Sequence, residues 1–253
     1  PLVLGDLNGA PVLASETCAL DIIGAKYIRD IENGEIIIIS DNKIESIKPF
    51  PQVKERPCIF ERIYFARPDS IIDGKSVYTY RKNLGLELSK ENNIDANVIV
   101  PIPDSGVPAA LGFSQYSKIP FELGIIRNHY VGRTFIEPSQ SIRQFGVKLK
   151  HSVNISFIKG KKVVLIDDSI VRGTTAKKIV KMIYDAGAKE VHLGVSCPPI
   201  THPDFYGIDT PSYEELIASK SSVEKMCKEI GTKSLFFLSL DGTYRAMGYN
   251  KRD

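Results

Sequence analysis

Strand-like apolar runs and helical patterns alternate along most of the chain. Runs typical of strands that are covered on both faces occur at 97–103, 121–126, 163–168, 190–198 and 234–240. Patterns that favour helices lie between or beside them, at 77–92, 108–117, 174–186, 212–218 and 222–230. This alternation predicts an α/β domain built on a mostly parallel sheet flanked by helices.

The beginning of the chain follows a different pattern. Short strand-like segments at 2–4, 12–14 and 35–40 are separated by the turn sequences Asn-Gly at 8–9 and 33–34. The segment 49–57 carries three prolines in nine residues, which is typical of a linker. We therefore expect two domains, at 1–56 and 57–253.

Composition and charge exclude several classes of protein. The net charge of the 253-residue chain is only +3, and no dense Lys/Arg tract occurs, so nucleic-acid binding is not indicated. No apolar run reaches the ~18 residues of a membrane span, and no secretory leader is evident. The four cysteines show no CxxC spacing. We expect a cytoplasmic protein without a nucleic-acid or membrane partner.

Two adjacent carboxylates, Asp167 and Asp168, follow a strand-like run directly. The loop after them supplies hydroxyl, glycine and arginine side chains at Ser169, Arg172, Gly173, Thr174 and Thr175. Ligands of α/β sheets bind beyond the carboxyl ends of strands, and a helix N-terminus favours phosphate. Carboxylates beside such a loop suit sugar hydroxyls or Mg²⁺, so a sugar phosphate would satisfy both parts. The alternative is a helix cap beside a solvated acid.

The segment VVLIDDSIVRGTT (163–175) resembles the binding motif of the type I phosphoribosyltransferases. In that family the two acids hold the ribose hydroxyls of phosphoribosyl pyrophosphate (PRPP), and the following loop holds its 5-phosphate. The resemblance implies the type I phosphoribosyltransferase fold. Neither a Walker A sequence nor a Rossmann glycine motif occurs.

Four further segments, at 63–74, 98–110, 127–140 and 202–218, resemble one branch of that family, the amidophosphoribosyltransferases. These enzymes catalyse the first step of de novo purine synthesis. The resemblance implies that 5-phosphoribosylamine is made from PRPP and ammonia, which comes from glutamine in the complete enzyme. PLVLG and ASETCALD resemble the end of the family's N-terminal-nucleophile glutaminase domain, so 1–56 is expected to be its β-rich tail.

The resemblance also assigns roles to residues. Ser105, Asp167 and Asp168 are the implied Mg²⁺ ligands, and Asp104 to Gly106 would meet the pyrophosphate at a helix start. In isolation, the sequence PDSG at 103–106 is more typical of a plain turn than of a pyrophosphate-binding loop. The implied PRPP-binding set is Asp104, Ser105, Gly106, Asp167, Asp168, Ser169, Arg172, Gly173, Thr174 and Thr175.

A long segment without clean periodicity begins at Arg127 and predicts either a lid or a solvated mobile loop. In the family this region orders over PRPP. The resemblance therefore assigns Tyr130 and Arg133, together with Asp167 and Asp168, to catalysis. The family's purine-nucleotide feedback sites lie nearby, so Arg127 is the expected contact for a nucleotide inhibitor.

The sequence departs from the family in its cysteines. Residue 1 is proline, where the family has a nucleophilic cysteine, so we expect a piece of a longer protein that uses ammonia but not glutamine. Cys18 and Cys58 are expected to be ordinary packed residues. Cys58 also lies where one ligand of the iron–sulfur cluster of some relatives falls, but Asp204 lies where the second would. No cluster is expected.

Two other functions remain open from the sequence. A non-catalytic regulator could keep the fold to sense PRPP or nucleotides, although no DNA-binding segment is evident. A salvage enzyme would attach a free nucleobase, although the resemblance outside the PRPP motif argues against it. The family forms homodimers and homotetramers, and we expect one of these.

Overall fold

A computed structural model describes residues 1–41, 43–54, 58–128, 151–204 and 212–249. The chain divides into two compact units, Pro1–Tyr80 and Arg81–Asp253. This division falls within a helix and not at the proline-containing segment. The assignment of 1–56 and 57–253 to two domains of different origin stays a prediction.

The first unit is built on an antiparallel sheet with the strand order β2-β1-β3. The strands are β1 (Val3–Leu7), β2 (Ala10–Ala14) and β3 (Lys26–Asp30), and helix α1 (Thr17–Ile23) connects β2 to β3. Asn8 and Gly9 both adopt positive φ, 55° and 89°, which confirms the predicted tight turn between β1 and β2. Val3, Leu20 and Ala25 form the buried core of this sheet.

The remainder of the first unit is made of short elements. They are an antiparallel hairpin of β4 (Ile36–Ser40) and β5 (Lys43–Ile47), a π-helical turn (Glu61–Phe65), and the two-residue strands β6 (Ile71–Ile72) and β7 (Lys75–Ser76). Strand β4 confirms the predicted strand at 35–40. Helix α1 and strands β3 and β5 were not predicted, because elements of five to seven residues are too short to give a clear period.

The second unit contains a parallel four-stranded sheet with the order β13-β12-β11-β8. The described strands of the second unit are β8 (Val98–Pro101), β9 (Ile125–Arg127), β10 (His151–Val153), β11 (Lys162–Asp167), β12 (Glu190–Val195) and β13 (Ser234–Phe237). All of β8 and most of β11 and β12 are buried, as the continuous apolar runs predict for a sheet covered on both faces. Strands β9 and β10 form a separate antiparallel pair.

Helices follow the strands of this sheet. The described helices are α2 (Val77–Glu91), α3 (Val107–Ser117), α4 (Ile155–Ile158), α5 (Thr174–Asp185), α6 (Ile217–Lys220), α7 (Val223–Ile230) and α8 (Leu240–Ala246). Helix α3 packs on β8 and β11, α5 packs on β12, and α7 packs on β13. Across the described parts of the chain, no helix is long and apolar enough to cross a bilayer.

Three expected elements differ from the structure. The segment 121–126 joins the parallel sheet through a bridge from Phe121 to Ile99, and its last two residues belong to β9, which pairs with β10 outside that sheet. The expected helix at 212–218 is a 3₁₀ turn (Tyr213–Glu215) followed by α6. The expected strand at 234–240 ends at Phe237, because Ser239 caps the next helix by accepting a hydrogen bond from the N–H of Gly242.

Candidate functional site

The carboxyl ends of β8 and β11 lie side by side at one edge of the parallel sheet. The N–H of Ile102, just after β8, donates to the carbonyl of Ile166 at 2.8 Å. A Cβ added at Gly106 would lie 2.3 Å from that same carbonyl oxygen, so the close approach of the 103–106 loop requires glycine there. This packing places the loop after β8 next to the acid pair that follows β11.

Ser105, Asp167 and Asp168 meet at this edge, as the sequence predicts for the implied metal ligands. The carboxylate of Asp168 is 5% exposed and accepts hydrogen bonds from the hydroxyls of Ser105 and Ser169. The N–H of Asp168 donates to Oδ1 of Asp167 at 2.9 Å. The juxtaposition of the three residues is therefore observed, while the metal itself stays a prediction.

The electrostatics of the acid pair favour a cation. Burial raises the pKa of Asp167 well above its ordinary value, and the charge of Asp168 raises it further. Burial also raises the pKa of Asp168, against the hydrogen bonds from Ser105 and Ser169 and the positive charge of Arg81. Two carboxylates that repel each other away from water are stabilised when a cation lies between them.

The oxygen donors at the acid pair match the preferences of the implied Mg²⁺. The described His, Cys, Asp and Glu residues form no group of three or more suited to a metal ion. A cation at the acid pair would therefore take two carboxylates, the hydroxyl of Ser105 and further oxygens from water or substrate. That set fits Mg²⁺, which is commonly held by one or two carboxylates together with phosphate oxygens and water.

The loop between the acid pair and α5 is shaped as an anion site. Gly173 has a φ of 73° and directly precedes the first residue of α5. The side chains of Thr174 and Thr175, in the first turn of the helix, are exposed. The N–H groups of a first helical turn have no partners within the helix, so they and these hydroxyls are available to a phosphate.

Two arginines of the predicted sites already have carboxylate partners. Arg127 pairs with Asp104, with 2.5 Å between Nη1 and Oδ2. Arg127 was expected to contact a nucleotide inhibitor and Asp104 to bind PRPP, and here the two side chains bind each other. Arg172 pairs with Glu215, a residue outside the predicted sites. Tyr130 and Arg133 lie outside the described residues.

Two buried residues near the acid pair were missed by the sequence analysis. Arg81 is 4% exposed, and its charge acts on Asp168. The signal was present, since the helical spacing places it on the buried face of α2 with Val77, Tyr80, Leu84 and Leu88.

Cys197 follows β12 at the same edge of the sheet and is 1% exposed. Burial, and then the charges of Asp168 and Asp167, raise the pKa of its thiol well above the ordinary value, so it stays protonated.

Of the two cysteines expected to be packed, Cys18 is buried, which confirms the prediction. Cys58 is exposed, so the prediction for it was wrong, because the short segment that carries it lies outside any core.

The family model of the phosphoribosyl transferase domain matches residues 80–225. The chain belongs to this family. The match covers more than half of the chain and includes the 103–106 loop, the acid pair and the phosphate loop. It confirms the predicted phosphoribosyltransferase fold for the parallel sheet and its helices.

The resemblance to amidophosphoribosyltransferases is also confirmed. The Rhizobium etli amidophosphoribosyltransferase is 61% identical over 259 residues, covering 100% of this phosphoribosyltransferase chain and 52% of the relative. The solved structure of the B. subtilis glutamine PRPP amidotransferase, complexed with ADP and GMP, matches with a TM-score of 0.92 and 50% identity over 100% of this chain and 56% of that one.

A second solved structure, described as the allosteric regulatory enzyme of purine biosynthesis, matches with a TM-score of 0.92 and 49% identity, over 100% of this chain and 54% of that one. The chain thus spans about half the length of the curated relatives it matches.

Proposed function

We propose that this chain transfers the phosphoribosyl group of PRPP to ammonia, giving 5-phosphoribosylamine and pyrophosphate in the first step of de novo purine synthesis. The observation that carries the proposal is the cluster of Ser105, Asp167 and Asp168 beside an anion-binding loop. The relatives are named as enzymes and match the whole chain, which favours this transferase over a sensing regulator or a salvage enzyme.

In this proposal the residues act mainly by positioning. Asp167 and Asp168 accept hydrogen bonds from the ribose hydroxyls, and the N–H groups and hydroxyls at Thr174 and Thr175 hold the 5-phosphate. The 104–106 loop binds the pyrophosphate, which leaves as ammonia attacks C1 from the opposite face. A fixed ribose and a fixed leaving group convert binding energy into a lower barrier at C1.

Ser105, Asp167 and Asp168 would hold the Mg²⁺. When bound, the ion neutralises negative charge on the pyrophosphate leaving group. Tyr130 and Arg133 are proposed to lie over bound PRPP and to exclude water, which would otherwise compete with ammonia at C1.

Further properties of the relatives are carried over as parts of the proposal. One relative was solved with ADP and GMP, and we expect purine nucleotides to inhibit this chain, with Arg127 as a contact. Residues 1–56 are proposed to be the tail of a glutaminase domain. A homodimer or homotetramer, a cytoplasmic location and the lack of an iron–sulfur cluster stay predictions.

The test is pyrophosphate release from PRPP and Mg²⁺ with ammonium chloride or glutamine as the nitrogen source. We expect release with ammonia, and the double variant Asp167→Asn, Asp168→Asn should lose at least about 10²-fold in rate because the ribose is no longer positioned. Asp185→Asn, at the exposed end of α5, is the matched control and should be unaffected. Near-normal turnover in the double variant would refute the proposal.

A further inference from the structure

The segment 213–221, called the brace here, is tied to the phosphate loop by three consecutive loop residues. The N–H of Ile217 donates to the carbonyl of Val171 at 2.9 Å. The guanidinium of Arg172 pairs with Glu215. A Cβ added at Gly173 would lie 3.0 Å from Cδ1 of Ile217. A backbone hydrogen bond and an ion pair thus join the two segments, and the side chain of Ile217 lies close to Gly173.

The side chain of Arg172 lies on the brace side of the loop. It lines a cleft of about 480 Å³ together with Glu215, Lys220 and other residues of the brace and α7. Ser105 and the acid pair do not line this cleft, nor do Thr174 and Thr175, although all of them belong to the described chain. The guanidinium thus faces this cleft and has Glu215 as its ion-pair partner.

We infer that Arg172 serves PRPP binding through its ion pair with Glu215, which positions the phosphate loop, and not through a direct contact with the phosphate. Glu215 is then a positioning residue for the loop. The 5-phosphate is held by the N–H groups and hydroxyls at Thr174 and Thr175. This inference rests on the proposed function, because it takes PRPP as the ligand of the loop.

The two possible roles of Arg172 differ in the size and the sign of their effects. A partly exposed ion pair that only steadies a loop should change binding by about 2- to 5-fold when either partner is removed. A guanidinium bonded to phosphate should cost more than about tenfold when removed. In that second case Glu215 competes with the phosphate for Arg172, so its removal should leave binding unchanged or improve it.

The test is a double-mutant cycle in the complete chain with Arg172→Gln, Glu215→Gln and both together. The readouts are the KM for PRPP, the kcat of ammonia-dependent pyrophosphate release, and the Kd of PRPP by calorimetry. We expect each single variant to raise KM and Kd by about 2- to 5-fold with little change in kcat, and the double variant to be no worse than either. The exchanged pair, Arg172→Glu with Glu215→Arg, should recover most of the affinity.

Glu214→Gln is the matched control, since Glu214 lines the same cleft and makes no ion pair with Arg172. It should bind PRPP like the wild type. The inference is overturned if Arg172→Gln loses more than about tenfold while Glu215→Gln does not weaken binding, or if the exchanged pair binds worse than both single variants.

The outcomes separate the inference from the proposed function. A wild-type chain that binds PRPP but releases no pyrophosphate contradicts the proposed function alone. The double-mutant cycle is then read from the Kd of PRPP for each variant. A wild-type chain that does not bind PRPP overturns both. Normal wild-type turnover with independent, non-coupled effects of the two residues overturns the inference alone.

Discussion

Single buried polar residues give this fold a dependence on pH. His192 lies in β12 with 8% exposure, its Nδ1 is 2.7 Å from the hydroxyl of Ser234, and its Nε2 is 3.6 Å from Glu190. Burial lowers the pKa of His192, with Lys162 and Lys233 acting in the same direction and Glu190 opposing them. The folded chain therefore holds this imidazole neutral.

We predict that His192 weakens the fold as the pH falls below about 6.5, the ordinary pKa of an exposed histidine. Below that pH the unfolded chain binds a proton that the folded chain resists, so the free energy of unfolding decreases. His192→Gln does not titrate. Its free energy of unfolding should be about 1–3 kcal/mol lower than that of the wild type at pH 8, because the hydrogen bond to Ser234 is disturbed. At pH 5.5 this difference between the two proteins, called the gap here, should be smaller.

Urea unfolding of both proteins at the two pH values measures this difference, and other titrating groups cancel in the comparison. The value at pH 8 serves as the internal control for the lost hydrogen bond. A gap of the same size at both pH values would mean that His192 does not carry the effect.

At the scale of residues, the sequence predicted the acids better than their partners. Asp167 and Asp168 directly follow one apolar run, Ser105 lies two residues after another, and the ends of neighbouring parallel strands meet at one edge of a sheet. Arg81 and Glu215 were missed because each meets its partner, Asp168 or Arg172, from an element whose position depends on tertiary packing. A charged residue inside an otherwise apolar helix face was the available signal for Arg81, whereas nothing in the local pattern around Glu215 indicates its partner.

At the scale of elements, α2 and α3 approach each other through a pair of glycines. A Cβ added at Gly85 would lie 1.7 Å from the carbonyl oxygen of Ala109. A Cβ added at Gly112 would lie 1.8 Å from the carbonyl oxygen of Lys82. Each helix therefore sets its backbone against a glycine of the other, and α3 also packs on the strands that carry the site.

We predict that Gly85→Ala and Gly112→Ala each destabilise the second unit by about 2–3 kcal/mol or more, because the helices must move apart. In an open helix the same change would stabilise by about 1 kcal/mol, so the sign of the effect is diagnostic. Thermal unfolding measures it. Gln115→Ala, on the exposed side of α3, is the control and should change little. A stabilised glycine variant would contradict the close approach.

The sequence predicted α2, α3, α5, α7 and the parallel strands of the second unit, because continuous apolar runs and helical periods are strong patterns, but it did not predict the four-residue helix α4. It did not predict α8, whose N-cap at Ser239 lies inside a run that is apolar enough for a strand. Nor did it indicate the glycine contact of α2 and α3, since a glycine within a helix marks close packing only once its neighbour is known.

At the scale of the whole molecule, each of the two compact units has its own stabilising interactions. The second unit has the buried parallel sheet as its core. The first unit contains a polar network around Glu35, whose side chain is 1% exposed. Its carboxylate accepts two hydrogen bonds from Arg29 at 2.9 and 2.6 Å, one from the N–H of Glu32 at 2.8 Å and one from the hydroxyl of Ser46 at 2.5 Å.

This network should make the hairpin of β4 and β5 sensitive to acid. The guanidinium of Arg29 and the hydrogen bonds from Ser46 and Glu32 hold the pKa of Glu35 well below its ordinary value of 4.5. Because the folded pKa is depressed, the stabilisation is present above about pH 4.5 and is lost as the pH falls below it. Glu35→Gln removes the charge that Arg29 binds and should loosen β4 and β5 without affecting the parallel sheet.

Hydrogen exchange resolved along the chain tests this prediction. At pH 7, amides of β4 and β5 should exchange roughly tenfold faster in Glu35→Gln than in the wild type, while those of β11 and β12 keep their rates. Glu45→Gln changes an exposed carboxylate of the same hairpin and should match the wild type. As the pH falls below 4.5, the wild type should approach the variant, because the unfolded chain then binds a proton that Glu35 in the folded chain resists. Equal acceleration in both units would instead mean that they unfold as one cooperative body, and the network would then stabilise the entire chain.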